Sequence, residues 1–449
     1  MQIVDARGMT VPEMAALLKK DAFDEIALSP RVQDGVDAMW GEHLTAAQVV
    51  DRIVRSVRHG GNEKLLYFTK MIDQVELTPE TMKVSAAEFN EARTLVDPAI
   101  VDSIKRAIRN IRRFHEEQLP RSWFSERPHG SLLGQKITPI DSVGIYVPGG
   151  TASYPSSVIM NAVPAKVAGV RRIVMAVPPG PNGKMNPYVL VAAEQAGVDE
   201  IYKMGGAQAI AALAFGTETI RRVNKITGAG NIFVTLAKKE VFGHVDIDML
   251  AGPSEILILA DKKANPVYLA ADMLSQAEHD PLASAILLTD SEKIARKVVD
   301  ELERQIRELP REEIAADSLD AFGKIIIAPD MDTAIDMANL SAPGHLAVMT
   351  ENPFQLMPRL HNCGAIFLGE DSPEPVGDYF AGPNHILPTG GTAKFYSVLN
   401  VETFMKKSSI IAYSRQSLLE AAQDIINMAE AERLDAHANA IRKRLERRD

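Results

Sequence analysis

The sequence predicts an α/β protein built as two parallel-sheet units covered by helices, with helical N- and C-terminal segments. Three observations carry that expectation. From about residue 142, short apolar runs alternate with helical stretches, the rhythm of parallel strands joined by crossover helices. The runs are too many for one comfortable sheet, so the series divides into two. Glycine-bearing turns follow several strands, at the carboxyl ends where such sheets keep their reactive loops.

In order, the first 130 residues read mostly as helix, and Pro98 to Glu117 carries Ile100, Ile104, Ala107, Ile108 and Ile111 at helical spacing. Val143 to Val147 reads as a strand, followed by the loop Pro148-Gly149-Gly150, a helix through Val158 to Val167, and a strand at Arg172 to Val177. Pro187, after Asn186, suits the first turn of the next helix. Strand Glu200 to Met204 enters Gly205-Gly206 and a helix. Strand Val223 to Thr227 enters Gly228-Ala229-Gly230-Asn231 and another helix. Next come strand Glu255 to Ala260, helix Pro266 to His279, strand Ala283 to Thr289, a helix near Glu292 to Arg307, and strands Lys324 to Ala328 and Gly364 to Leu368. Gly369 to Gly391 reads as loop, and helices close the chain from about Ser417, with Asp435 expected to N-cap the last.

Composition narrows the function classes. At 449 residues, 46% hydrophobic and 24% charged, the chain is neither disordered nor collagen-like. Its 49 Lys+Arg against 59 Asp+Glu give a net charge of −10 without a basic block, which argues against nucleic acid as the main partner. No uninterrupted apolar run approaches the roughly 18 residues of a membrane span. Met1 to Arg7 lacks the layout of a signal peptide, and the single cysteine, Cys363, excludes an internal disulfide and suits a reducing cytoplasm.

Three glycine loops could bring backbone N–H groups to a phosphate: Pro148-Gly149-Gly150, Gly205-Gly206 and Gly228-Ala229-Gly230. None completes a dinucleotide fingerprint, since Phe233 stands where Gly228-x-Gly230 needs its third glycine, and plain turns are the alternative. His43, His59, His115, His129 and His244 read as surface residues without partners. Gln276 and His279, at i and i+3 on a helix end, could share a metal, or His279 could answer the helix dipole. Asp378 reads as a buried ligand or a turn aspartate, His437 as a ligand or a core histidine, and His345 as an exposed general base between a helix and a strand.

Longer motifs settle on one pattern: Gly144-Ile-Tyr-Val-Pro-Gly-Gly-Thr151, Gly205-Gly-Ala-Gln-Ala-Ile210, Ala251-Gly-Pro-Ser-Glu255, Ser275-Gln-Ala-Glu-His279, Gly377-Asp-Tyr379 with Gly382-Pro-Asn-His385, and Glu432-x4-His437. Over nearly its whole length the sequence resembles the histidinol dehydrogenases. The resemblance implies two Rossmann-like sheets and oxidation of L-histidinol through histidinal to L-histidine with two NAD and one zinc ion. It also implies a homodimer whose C-terminal segments complete each other's sites. It divides the chain into 1–40, 41–141 with 256–395 (zinc and catalysis), 142–255 (NAD) and 396–449. By position, Gln276, His279, Asp378 and His437 become the zinc ligands and also line the substrate site. Tyr146, Gln208 and Asn231 become NAD contacts, Ser254 and Glu432 substrate contacts, and His345 the catalytic histidine.

Two positions depart from the family. Its Ala-Pro-Glu-His is here Ala342-Pro343-Gly344-His345, so the glutamate that activates water for the second oxidation is replaced by glycine. Arg433 stands where the family often has glycine. The resemblance leaves three alternatives: a related NAD-dependent polyol or sulfonated-alcohol dehydrogenase, a thiol-based aldehyde dehydrogenase using Cys363, and a non-catalytic zinc- and ligand-binding homologue.

Overall fold

The computed structural model describes residues 1–19, 28–149 and 154–446; Gly150 and Thr151 of the first motif lie outside them. The strands are β1 (Gln2–Asp5), β2 (Trp123–Glu126), β3 (Leu132–Pro139), β4 (Ser142–Tyr146), β5 (Arg172–Val177), β6 (Glu200–Lys203), β7 (Lys225–Thr227), β8 (Asp246–Ile247), β9 (Glu255–Ala260), β10 (Ser284–Thr289), β11 (Lys324–Ile327), β12 (His345–Met349), β13 (Ala365–Leu368) and β14 (Met405–Ala412). They form two parallel sheets, ordered β1-β11-β10-β9-β12-β13 and β6-β5-β4-β7-β8, and an antiparallel sheet ordered β14-β3-β2. Residues 1–118 with 140–404 make one compact unit containing both parallel sheets, and 119–139 with 405–449 make another around the antiparallel one.

The central strands β9 and β10 of the six-stranded sheet are almost wholly apolar because helices cover both faces. In β9 the alternation is still visible. Ile256, Ile258 and Ala260 pack with the helices Pro266–Ala277 and Glu292–Gln305, while Leu257 and Leu259 face the helix Met331–Ser341 and Met14. The five-stranded sheet packs on the helices Ala46–Ile72 and Gly206–Phe215, the first opened by a capping box from Thr45 to Gln48. Among the described residues, no helix is long and apolar enough to cross a membrane.

The structure corrects several sequence expectations. Gln2–Asp5, within the stretch read as helix, is an edge strand pairing with β11, and four residues are too few for any periodicity to declare it. The antiparallel sheet was not expected, since its strands β2 and β14 leave most side chains exposed and lack apolar runs. His345–Met349 is a strand, so His345 opens β12 and lies buried rather than exposed. Asp435 is the first residue of the last helix, and Leu434 holds the cap position. Nor are the histidines read as partnerless all so: His43 pairs with Asp37, His129 pairs with Glu420, and His115 is wholly buried with Nδ1 donating to the Ile111 carbonyl at 2.8 Å.

Candidate active site

The polar centre lies at the amino edge of the six-stranded sheet, not at the carboxyl ends where reactive loops are expected in such sheets. His345 and Glu255 open adjacent strands, and His345 sits in register with Ile256 on one side and Ala365 on the other. The helix Pro266–Ala277 carries Gln276, with His279 just beyond its end. A six-residue helix, Glu374–Tyr379, presents Glu374 and Asp378 one turn apart.

His345 is held through its far nitrogen. Nδ1 lies 2.9 Å from the Glu255 carbonyl, which only accepts, so Nδ1 carries the hydrogen and Nε2 looks into the site. Nε2 is buried without a hydrogen-bond partner, 3.6 Å from Glu374 Oε1 and 3.7 Å from Asp378 Oδ1. Burial opposes a charge on this ring, but the two carboxylates outweigh it and hold His345 up to about 9. Burial pushes Glu374 upward, whereas the histidines around Asp378 overcome its burial and keep it below the usual carboxylate range. Burial lowers His279 and His385, the latter with Nδ1 3.9 Å from Asp378 Oδ1.

His279, Glu374 and Asp378 each offer a ligand atom within 4.8 Å of the others. Gln276 is fully buried beside them. With its amide nitrogen turned to Glu374 Oε1 (2.8 Å) and the Glu255 carbonyl (3.3 Å), its oxygen is left unengaged by either group. Glu255 Oε1 accepts the Gly344 N–H (3.0 Å) and the Gly390 N–H (3.1 Å), tying the two loops over the site. The chain enters β12 through Ala342, whose φ of 49° is costly for a residue with a Cβ. Ser254 directly precedes β9 and is half-buried.

The other loop group lies at the carboxyl ends of the five-stranded sheet. Strand order reverses between β4 and β7, and ligands favour such a switch point. Tyr146 ends β4, buried, and its hydroxyl accepts the Gly206 N–H at 3.1 Å. Gly228 follows β7 with φ of 110°, where a Cβ would stand 2.1 Å from the Tyr146 carbonyl oxygen, so only glycine fits. Asn231 caps the helix Ile232–Val241 through Oδ1 and is otherwise exposed. Gln208, in the first turn of Gly206–Phe215, is wholly buried. Buried Asn384 donates through Nδ2 to the carbonyl of Met160, in the helix Pro155–Ala168 that follows β4, at 2.6 Å. Glu432 and His437 belong to the smaller unit, at the end of the helix Arg415–Ala431 and in the helix Asp435–Leu445, and both are exposed.

The histidinol dehydrogenase family model matches residues 41–445. The histidinol dehydrogenase of Heliobacterium mobile is 56% identical over 89% of this chain and 93% of its own. That of Bacillus subtilis is 54% identical over 88% and 92%. The crystal structure of the Elizabethkingia anophelis histidinol dehydrogenase superposes with a TM-score of 0.89 at 35% identity, covering 99% of this chain and 98% of that one. The chain belongs to the histidinol dehydrogenase family.

One residue of this centre, Glu374, does not stand out as a ligand in the sequence, whereas His385 reads, like Asp378, as a ligand or a turn residue. Glu374 was hidden because Gly369 to Gly391 read as loop; a helix this short, with Pro375 and Gly377 inside, has no apolar period, and only the i, i+4 spacing to Asp378 pointed to it. The fold brings His385 to this centre by setting its Nδ1 3.9 Å from Asp378 Oδ1. Cys363 packs beside Leu360 and Ile366, and burial lifts its thiol to about 11, which makes a poor nucleophile.

Proposed function

We propose that this chain oxidises L-histidinol through histidinal to L-histidine with two NAD and one zinc ion, as a homodimer in the cytoplasm. The observation that carries the reading is the group of buried Glu374 and half-buried His279 and Asp378 facing His345, in a chain that matches histidinol dehydrogenases over nearly its full length. Imidazole nitrogen and carboxylate oxygen suit Zn2+, so the donors present fit the metal. Gln276, His279, Asp378 and His437 would hold it. Bound zinc would orient and acidify the alcohol, and NAD would accept the hydride.

The remaining work falls to the chain. His345 in its neutral form receives the alcohol proton at Nε2, its ring fixed by the Glu255 carbonyl; zinc held by Asp378 would offset the carboxylate charge that otherwise holds the ring up to about 9. Ser254 and Glu432 bind the substrate, the Glu432 carboxylate toward its ammonium or imidazole side. Tyr146, Gln208 and Asn231 hold NAD, assigning residues 142–255 to the cofactor and 41–141 with 256–395 to zinc and catalysis. Residues 396–449 complete the partner subunit's site. Glycine at 344 cannot accept a proton, so the hydration-dependent second oxidation is slow, by roughly the 10²–10⁴-fold that a general base contributes.

Following NADH formation separately from histidinol and from histidinal tests this. Gly344→Glu is expected to raise the histidinal rate about 10²-fold or more and leave zinc content unchanged. Equal rates on histidinal sink the slowed-step reading. No NADH from histidinol in the zinc-loaded protein sinks the assignment itself.

A further inference from the structure

Asp73 is a partly buried carboxylate that the mechanism above does not use. It ends the helix Ala46–Ile72, and the chain leaves it through Gln74 at φ of 55°, a left-handed turn that a residue with a Cβ rarely adopts. The Asp73 carboxylate lies against the first turn of Gly206–Phe215. Asp73 accepts the Gly205 N–H, and its Oδ2 accepts Gln208 Nε2 at 3.2 Å. A Cβ on Gly205 would meet Asp73 Oδ1 at 3.0 Å, and one on Gly206 would meet Gln208 Oε1 at 2.8 Å, so the glycine pair makes room for both groups.

The consequence concerns the other end of the amide. A carboxylate only accepts, so it dictates that Gln208 turns its nitrogen inward. Gln208 Oε1 is then buried with no hydrogen-bond partner. A buried acceptor left unpaired is costly, and a donor from outside the chain would satisfy it. Two N–H groups at the start of this helix are meanwhile engaged: Asp73 takes that of Gly205 and the Tyr146 hydroxyl takes that of Gly206.

We propose that Asp73 is a positioning residue for the cofactor: by holding the Gln208 amide nitrogen it fixes Oε1 as the acceptor for a hydroxyl or amide donor of the dinucleotide. This rests on the assignment of Gln208 to the NAD site. Asparagine at 73 would offer its own N–H, allow the Gln208 amide to turn over, and spend Oε1 on an internal bond. Glutamate at 208 in the same chain would accept that N–H with one oxygen and keep the other free.

Calorimetric titration of the full-length, zinc-loaded protein with NAD+ and with ADP-ribose tests it, since binding is read without turnover. Asp73→Asn is expected to weaken NAD+ about tenfold, one hydrogen bond's worth, and Asp73→Asn/Gln208→Glu to recover to within about threefold of the parent. Gln208→Glu alone, facing Asp73, is expected to bind no better than Asp73→Asn. A loss shared by ADP-ribose assigns the donor to a ribose hydroxyl, and a loss confined to NAD+ assigns it to the carboxamide. Asp73→Asn binding within about twofold of the parent, or a double variant no tighter than Asp73→Asn, overturns the proposal. If Asp73→Asn does not fold, Asp73→Ser carries the same expectation and the same power to overturn it. Failure of the parent to bind NAD+ instead defeats the underlying cofactor assignment.

Discussion

The ring of His345 is fixed by the Glu255 carbonyl on Nδ1 and faces two carboxylates on Nε2, so its direction is set before any ligand arrives. Beside it, Gly344 has a neighbour fitted to its lack of a side chain. A Cβ there would meet the Thr389 methyl at 2.9 Å, while Thr389 Oγ1 accepts the Gly252 N–H at 2.7 Å. Gly344→Glu thus requires Thr389 to yield by a few tenths of an ångström. Thr389→Ser removes the methyl and keeps the hydroxyl, so Gly344→Glu/Thr389→Ser is expected to oxidise histidinal at least as fast as Gly344→Glu; a slower double variant argues against this crowding. Asp73 carries a stability prediction. Burial raises it from 3.8 to about 6, so its contribution to the fold is fullest below pH 3.8 and is lost as pH rises through 6. At pH 8 the charge costs up to about 3 kcal/mol. Asp73→Asn should therefore melt above the parent at pH 8, with the gap closing between pH 6 and 4; melts differing equally at every pH would contradict this.

Among elements, the helix Arg415–Ala431 explains a departure that the sequence left without a reason. It ends in a Schellman motif, with Leu434 N–H donating to the Ala429 carbonyl at 2.8 Å and Arg433 N–H to the Glu430 carbonyl at 2.9 Å. Arg433 occupies the left-handed position at φ of 58°, where glycine has no Cβ penalty. Arg433→Gly is expected to stabilise the protein by about 1 kcal/mol, read as a higher denaturation midpoint, and an unchanged or lower midpoint contradicts it. Elements differed in how far the sequence declared them. The helix Pro98–Glu116 was plain because Ile104, Ala107, Ile108 and Ile111 face the core at helical spacing. The strands β4, β5, β9 and β10 were plain because they are buried apolar runs. β1, β2 and β14 were not, because their partners, rather than their own composition, make them strands.

At the scale of the molecule, the smaller unit carries Glu432 and His437 while the larger carries His279, Glu374 and Asp378. If one subunit completes the other's site, His279→Ala and His437→Ala proteins are each inactive, but subunit exchange between equal amounts restores about a quarter of parental activity. Half the dimers are then mixed, each with one intact site. No recovery on exchange contradicts shared sites. By itself the sequence determined the α/β class, the alternation of buried strands and covering helices, and the family, because burial pattern and motif spacing are local properties of the chain. Only the tertiary structure decided that the polar centre sits at the amino edge of its sheet, that Glu374 and His385 join it, that Arg433 bears a left-handed backbone, and that Asp73 commands the Gln208 amide. Those depend on residues far apart in the chain meeting in space, and on backbone angles that no local pattern records.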